Sequence, residues 1–199
     1  MATILDIVAS TIIGGLLLIM ALNLIDTTNQ YFYGQNDDLI VQQNLTALTE
    51  ILEFDLRKMG LAVPEGTTAI LVADSVRLKY LGDADGNWVP DTVEYYLGST
   101  SQLSASRNPN DRYLYRKIST NPSAYIAGTV TQFNFSYLDQ DGVGVDVSKP
   151  ANFSGIKMIR ITMQVESPDV YSADPDPNAL EYRRAFWQQT RLVSRNLRR

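Results

Sequence analysis

One short stretch, DADGNWVPDTVE (83–94), gathers five carboxylate or carboxamide side chains: Asp83, Asp85, Asn87, Asp91 and Glu94. Counted from Asp83, they fall on the side-chain positions of a twelve-residue calcium loop, with Val89 where such a loop offers a backbone carbonyl. Hard oxygen ligands at that spacing suit Ca²⁺. The turn chemistry does not: Gly86 comes two places early, Trp88 occupies the sharp-turn position, and no helices are expected on either side. A solvated hairpin turn is therefore the preferred reading and calcium the minor one. Elsewhere the means for catalysis are scarce. The chain has no histidine and no cysteine, which removes the usual general base near neutral pH, thiolate chemistry and the commonest zinc ligands. A formal net charge of −5 argues against a nucleic-acid partner. No cofactor and no enzymatic activity are expected.

A second candidate lies in the opening segment, MATILDIVASTIIGGLLLIMALNLIDTTNQ. No charge occurs from Ile7 to Ile25, yet Asp6 abuts that run and Gly14 and Gly15 interrupt it. At ~1.5 Å per residue the run is long enough for a bilayer core of ~30 Å. A cleaved signal peptide would carry basic residues before the run and a small-residue cleavage site after it. Here the first basic residue is Arg57, and NLIDTTNQYFYG offers no such site. Asp6 at a helix N-terminus has an ordinary role as a favourable cap. Its other role would be a charge that needs a partner once the helix leaves the bilayer. The glycine pair fits either a tolerated break or a place where helices approach closely.

The helical pattern outlasts the apolar run. Val41, Leu45, Leu48, Leu52, Leu56 and Met59 recur at steps of three and four, with Gln42, Gln43, Asn44, Thr46, Thr49, Glu50 and Glu53 on the other side. Arg57-Lys58 followed by Gly60 makes a good C-terminal stop, and Pro64 prevents resumption. The expectation is one helix of about 55 residues, apolar in its first half and amphipathic in its second, with YFYGQNDD (31–38) as its weakest stretch and a place to bend.

Beyond Gly60 the period becomes two. Val76, Leu78 and Tyr80 alternate with Arg77 and Lys79, and Val93, Tyr95 and Leu97 behave similarly. RYLYRKI (112–118), VTQFNFSYL (130–138), IKMIRITMQVE (156–166) and RRAFWQQTRLVSRN (183–196) complete a set of half-buried strands. Turn residues separate them, and SPDVYSADPDPNALEY (167–182) reads as a polar loop. The fold class is α+β: a long N-terminal helix packed on an antiparallel β-sheet domain. The expected divisions are an apolar membrane or filament-core helix (1–28), an amphipathic continuation (29–60) and the β-domain (61–199). Charge is uneven: the first 60 residues hold seven acids against Arg57 and Lys58, while residues 181–199 hold six arginines against Glu181. A solvated basic tail is the plain reading of the last segment, and complementary faces between stacked subunits the sharper one.

This layout, an acid before an apolar helix that becomes amphipathic and then a small β-domain, resembles the type IV pilin superfamily. LTALTEILEFDLRKMGL (45–61), GDADGNWVPDTVEYYL (82–97), VTQFNFSYLDQDG (130–142), IRITMQVE (159–166) and YRRAFWQQTRLVSRN (182–196), in that order, look most like the J-type minor pseudopilins of type II secretion and the W-type minor pilins. Three departures stand out. The family's basic leader is not seen, its acid is usually glutamate rather than aspartate, and its mid-helix proline is missing. Without Met1, Asp6 becomes the fifth residue, where the family places its acid. The resemblance implies a filament subunit assembled through Asp6, Gly14 and Gly15, with Asp6 paired to the α-amino group of a neighbouring subunit. It implies partners that are copies of itself or other pilins, a membrane before assembly, and machinery driven by an external ATPase. The location would be the inner membrane, then a periplasmic or extracellular filament. The alternative from another class is a membrane-anchored extracytoplasmic module that binds a ligand or calcium.

Overall fold

The computed structural model describes residues 2–119, 121–170 and 182–192. A single α-helix, α1 (Ala2–Arg57), precedes eight strands: β1 (Ile70–Ala73), β2 (Arg77–Gly82), β3 (Asp91–Leu97), β4 (Arg112–Ile118), β5 (Asn121–Val130), β6 (Gln132–Leu138), β7 (Met158–Val170) and β8 (Tyr182–Leu192). The architecture is α+β, as the change of period predicts. The chain forms two compact units, Met1–Leu39 and Ile40–Arg199. Val41 is the first α1 residue to join the hydrophobic core. Residues 31–38, expected to be the weak point, are helical at every position.

Within the first unit, α1 exposes every large apolar side chain from Ile4 to Tyr33. Its hydroxyls bond backward to their own helix. Ser10 and Thr11 donate to the Ile7 carbonyl (both 2.9 Å), and Thr27 and Thr28 donate to those of Asn23 and Leu24. Such local bonds let polar side chains stay in an apolar helix without an outside partner.

Within the second unit, the amphipathic stripe is the core. Val41, Leu48, Leu52, Leu56 and Met59 are buried, and Leu45 packs beside them. The helix ends at Arg57 with tightened i→i−3 bonds at Lys58 and Met59. Gly60 then turns at φ +76°, and Met59 bridges onto Gly82 of β2. Gly82 must lack a side chain, since a Cβ there would lie 2.5 Å from the Lys58 carbonyl oxygen. Further along, Leu48 fills the space a side chain at Gly128 would need.

The β-residues form two antiparallel sheets rather than one: a five-stranded meander β1-β2-β3-β4-β5 and a three-stranded meander β6-β7-β8. The switch occurs at one residue. Thr131, between β5 and β6, donates its N–H to the Gln164 carbonyl of β7, so β6 pairs with β7 and never with β5. Both sheets contribute to one core, in which Phe133, Phe135, Ile161 and Met163 join Leu78, Tyr80, Tyr95 and Leu114. β7 continues to Val170 and so takes the first residues of the expected 167–182 loop. β8 takes its last residue, Tyr182, while residues 171–181, residues 193–196 of the expected last strand and the terminal arginines beyond them lie outside the described residues.

Candidate functional site

The apolar half of α1 is the first candidate. It is long and apolar enough to cross a membrane, with mean hydropathy 2.3 over its most apolar 18-residue window and no residue of that window buried. Asp6 is exposed on its first turns, among Leu5, Ile7 and Val8, each at least half exposed. Gly14 and Gly15 are helical, and beyond the neighbouring residues and backbone of the helix itself no described atom lies within 4 Å of a Cβ built on either. Among the described residues of this unit, nothing therefore demands glycine at these two positions. A close neighbour against that face would.

The acidic turn between β2 and β3 is the second. Three of its five sequence-designated residues come together: single carboxylate oxygens of Asp83, Asp85 and Asp91 lie within 4.8 Å of one another. These are the residues that could hold a cation. The oxygens already have work, however. Asp83, buried, accepts the N–H groups of Gly86 (2.6 Å), Asn87 (3.1 Å) and Trp88 (3.0 Å). Asp91 accepts from Ala84 N–H and the Ser119 hydroxyl, and Asp85 from the Asn87 backbone and side chain. Burial works against the Asp83 charge, but the three amides and the Lys58 ammonium outweigh it and hold its carboxyl below the ordinary range. Lys58 also donates to the Ala84 carbonyl, which places a cation beside the turn. Asn87 spends its carbonyl on the Val89 N–H. Glu94 does not join the cluster. It points to the sheet face and is bonded by Arg77 (2.7 Å from Nε). The turn is thus closed by its own backbone, and Trp88 reaches φ +64° with its side chain 74% exposed.

The buried polar centre was not among the residues singled out in the sequence. Asp55, on the core-facing side of α1, is gripped by Arg116 of β4 through Nε and through Nη2 (2.7 Å to Oδ1). The Tyr95 hydroxyl adds a 2.6 Å bond to Oδ2. Burial, then the Asp55 charge, raise the Tyr80 and Tyr95 phenols well above their ordinary value. Burial would lower the Arg116 guanidinium, but its bonds to Asp55 and Tyr95 raise it instead. A signal was present: Asp55 sits between Leu52 and Leu56, an acid within the apolar stripe. The centre lies in the interior and joins helix to sheet. No known protein family, curated protein or solved structure matches this chain.

Proposed function

We propose that this chain is a structural subunit of a helical filament of the type IV pilus or type II secretion pseudopilus kind, without catalytic activity of its own. The observation that carries this reading is the apolar half of α1. It exposes Ile7 to Ile25 around an acid at its tip and then continues as the helix that builds the β-domain core. A plain anchor needs neither the acid nor the continuation. Before assembly the run would sit in the inner membrane. In a filament the same side chains would pack against neighbouring helices, drawn together by an external ATP-driven machine. Asp6 would then lie in apolar surroundings, where an unpaired carboxylate is very costly. The α-amino group of a neighbouring subunit would supply the opposite charge.

Asp6→Ala tests this. The variant should still enter the membrane fraction, while filaments seen by electron microscopy fall at least about tenfold, the loss expected when ~1.4 kcal/mol or more of pairing is removed. Asp6→Glu should restore assembly. Asp6→Ala filaments of normal yield and length would overturn the pairing.

A further inference from the structure

The two sheets end in four edge strands, and three of those edges are closed. β1 is four residues long, and the 3₁₀ helix Pro150–Gly155 packs against it. β5 contains Pro122, which offers no N–H, and two shifts of register interrupt its pairing with β4. β6 uses its outward groups within the chain. Phe135 donates its N–H to the Ser75 carbonyl (2.7 Å), and the Tyr137 carbonyl accepts from the Val145 N–H (2.9 Å). The edge of β8 is open. Its eleven residues hold no proline, glycine or acid, and among the described residues β7 is its only strand partner.

The ladder fixes which groups are open. Phe135 and Tyr137 face away from β7, so Asn134 and Ser136 face it, and their partners Thr162 and Arg160 face β6. Alternation then turns Ile161, Met163 and Val165 toward β8, where Gln189, Trp187 and Ala185 answer them. Arg184, Phe186 and Gln188 are left with their N–H and C=O groups directed off the sheet. On the outer face Arg184 and Phe186 are exposed, the latter by 55%. On the inner face Ala185 and Trp187 are half-buried and pack against the hydrophobic core, which stops short at this edge. An added strand would extend the ladder and the core together.

We propose that β8 pairs antiparallel with β8 of a second copy, about a two-fold axis at Phe186. With the other edges closed, β8 is the strand that a second copy has to offer. The place of the axis follows from the order of residues. Centred on Phe186, it sets that ring opposite its counterpart on the outer face, Ala185 opposite Trp187 on the core side, and Arg184 opposite Gln188. Moving the axis by one residue sets Arg183 against Trp187 or against Arg191. Moving it by two sets Arg184 against itself or Arg191 against Ala185. The contact is isologous. It uses no residue of α1 and stands apart from the filament reading.

The absence of cysteine makes the test direct. Full-length Arg184→Cys and Gln188→Cys, carrying tags of different size, are co-expressed and treated with a short bismaleimide. A linked heterodimer is expected when both are present, and no linked homodimer of either, because each position faces the other and not itself. Phe186→Pro removes an N–H that β7 does not use. Phe186→Lys keeps every N–H but sets like charges face to face, and it decides the matter should Phe186→Pro unfold. Either substitution, added to both variants, should cut the linked product at least about tenfold, at unchanged thermal unfolding of the β-domain. Linkage of 184 to 184 or of 188 to 188, linkage that survives the changes at Phe186, or no linkage from a folded β-domain would each overturn the pairing.

Discussion

Leucines on the two halves of α1 live in opposite circumstances. Leu16 and Leu17 are 53% and 61% exposed, whereas Leu52 and Leu56 are fully buried. Both pairs sit in unbroken helix, so local structure does not separate them. What separates them is whether this chain supplies the other side of the contact. The second half finds Leu78, Tyr80, Tyr95 and Leu114 within its own β-domain. The first half finds nothing in its own unit, and an apolar surface of that extent calls for lipid or for other helices. The core of the β-domain is therefore written on one half of this element and not on the other, and substitutions can separate the two.

The largest expected effect falls on the half that is complete. Asp55→Ala leaves the Arg116 guanidinium buried without its carboxylate, and breaking such a pair costs about 3–5 kcal/mol. Urea unfolding of a fragment beginning at Asn29 should register that loss. The fragment itself should be soluble and folded, because the stripe from Val41 to Met59 is intact. A variant as stable as the parent would mean that Arg116 escapes to solvent and that the centre is not a fixed tie between helix and sheet. The same centre sets an alkaline limit. Tyr80 and Tyr95 have phenols raised above their unfolded value of ~10. Their contribution is present below that pH and is lost as pH rises through the higher folded values.

The contrast between the two halves can be tested with one substitution made twice. Leu52→Ala removes a buried side chain and should cost about 2–5 kcal/mol. Leu17→Ala, in the full-length chain in detergent, should leave the tyrosine signal of β-domain unfolding within about 0.5 kcal/mol of the parent, while reducing association through the apolar run. Equal effects of both on the β-domain would break the division of labour.

These assignments show where the sequence speaks. The stripe from Val41 to Met59 and the alternation in β2, β3, β4, β6 and β7 were legible because burial on one face imposes a period. β1 escaped notice: ILVA is four residues of continuous apolar chain with no alternation to read. β5 was hidden by composition. NPSAYIAGTV opens on Asn-Pro and holds two alanines and a glycine, poor strand formers, yet Gly128 is there because Leu48 of the helix needs its space. The division into two sheets, with the chain passing from β5 to a partnership with β7 at Thr131, is a tertiary fact with no local signature. In the acidic turn the structure brings oxygens of Asp83, Asp85 and Asp91 together, while Glu94 is bonded by Arg77 on the neighbouring strand, a cross-strand contact that nothing local announces.

The smallest expected effect concerns that turn, and it asks whether the β-domain is as self-sufficient there as in its core. Asp83 already accepts three amides, and Lys58 bonds the turn at the Ala84 carbonyl. For a Ca²⁺ ion to bind, the carboxylate would have to share its oxygens, and the cation would meet the Lys58 charge nearby. Millimolar Ca²⁺ should therefore leave the melting temperature of the Asn29 fragment unchanged, where a ligand bound only by the folded state would raise it. Protons should act where calcium does not. The folded Asp83 carboxyl is held below its unfolded value, so its stabilising contribution is present above the unfolded value of ~3.9 and is lost as pH falls through the folded one. The gap in melting temperature between parent and Asp83→Asn should be open at neutral pH and narrow below about pH 4. A calcium-dependent rise in melting temperature that Asp83→Asn abolishes would show that this turn is completed by a ligand from outside the chain.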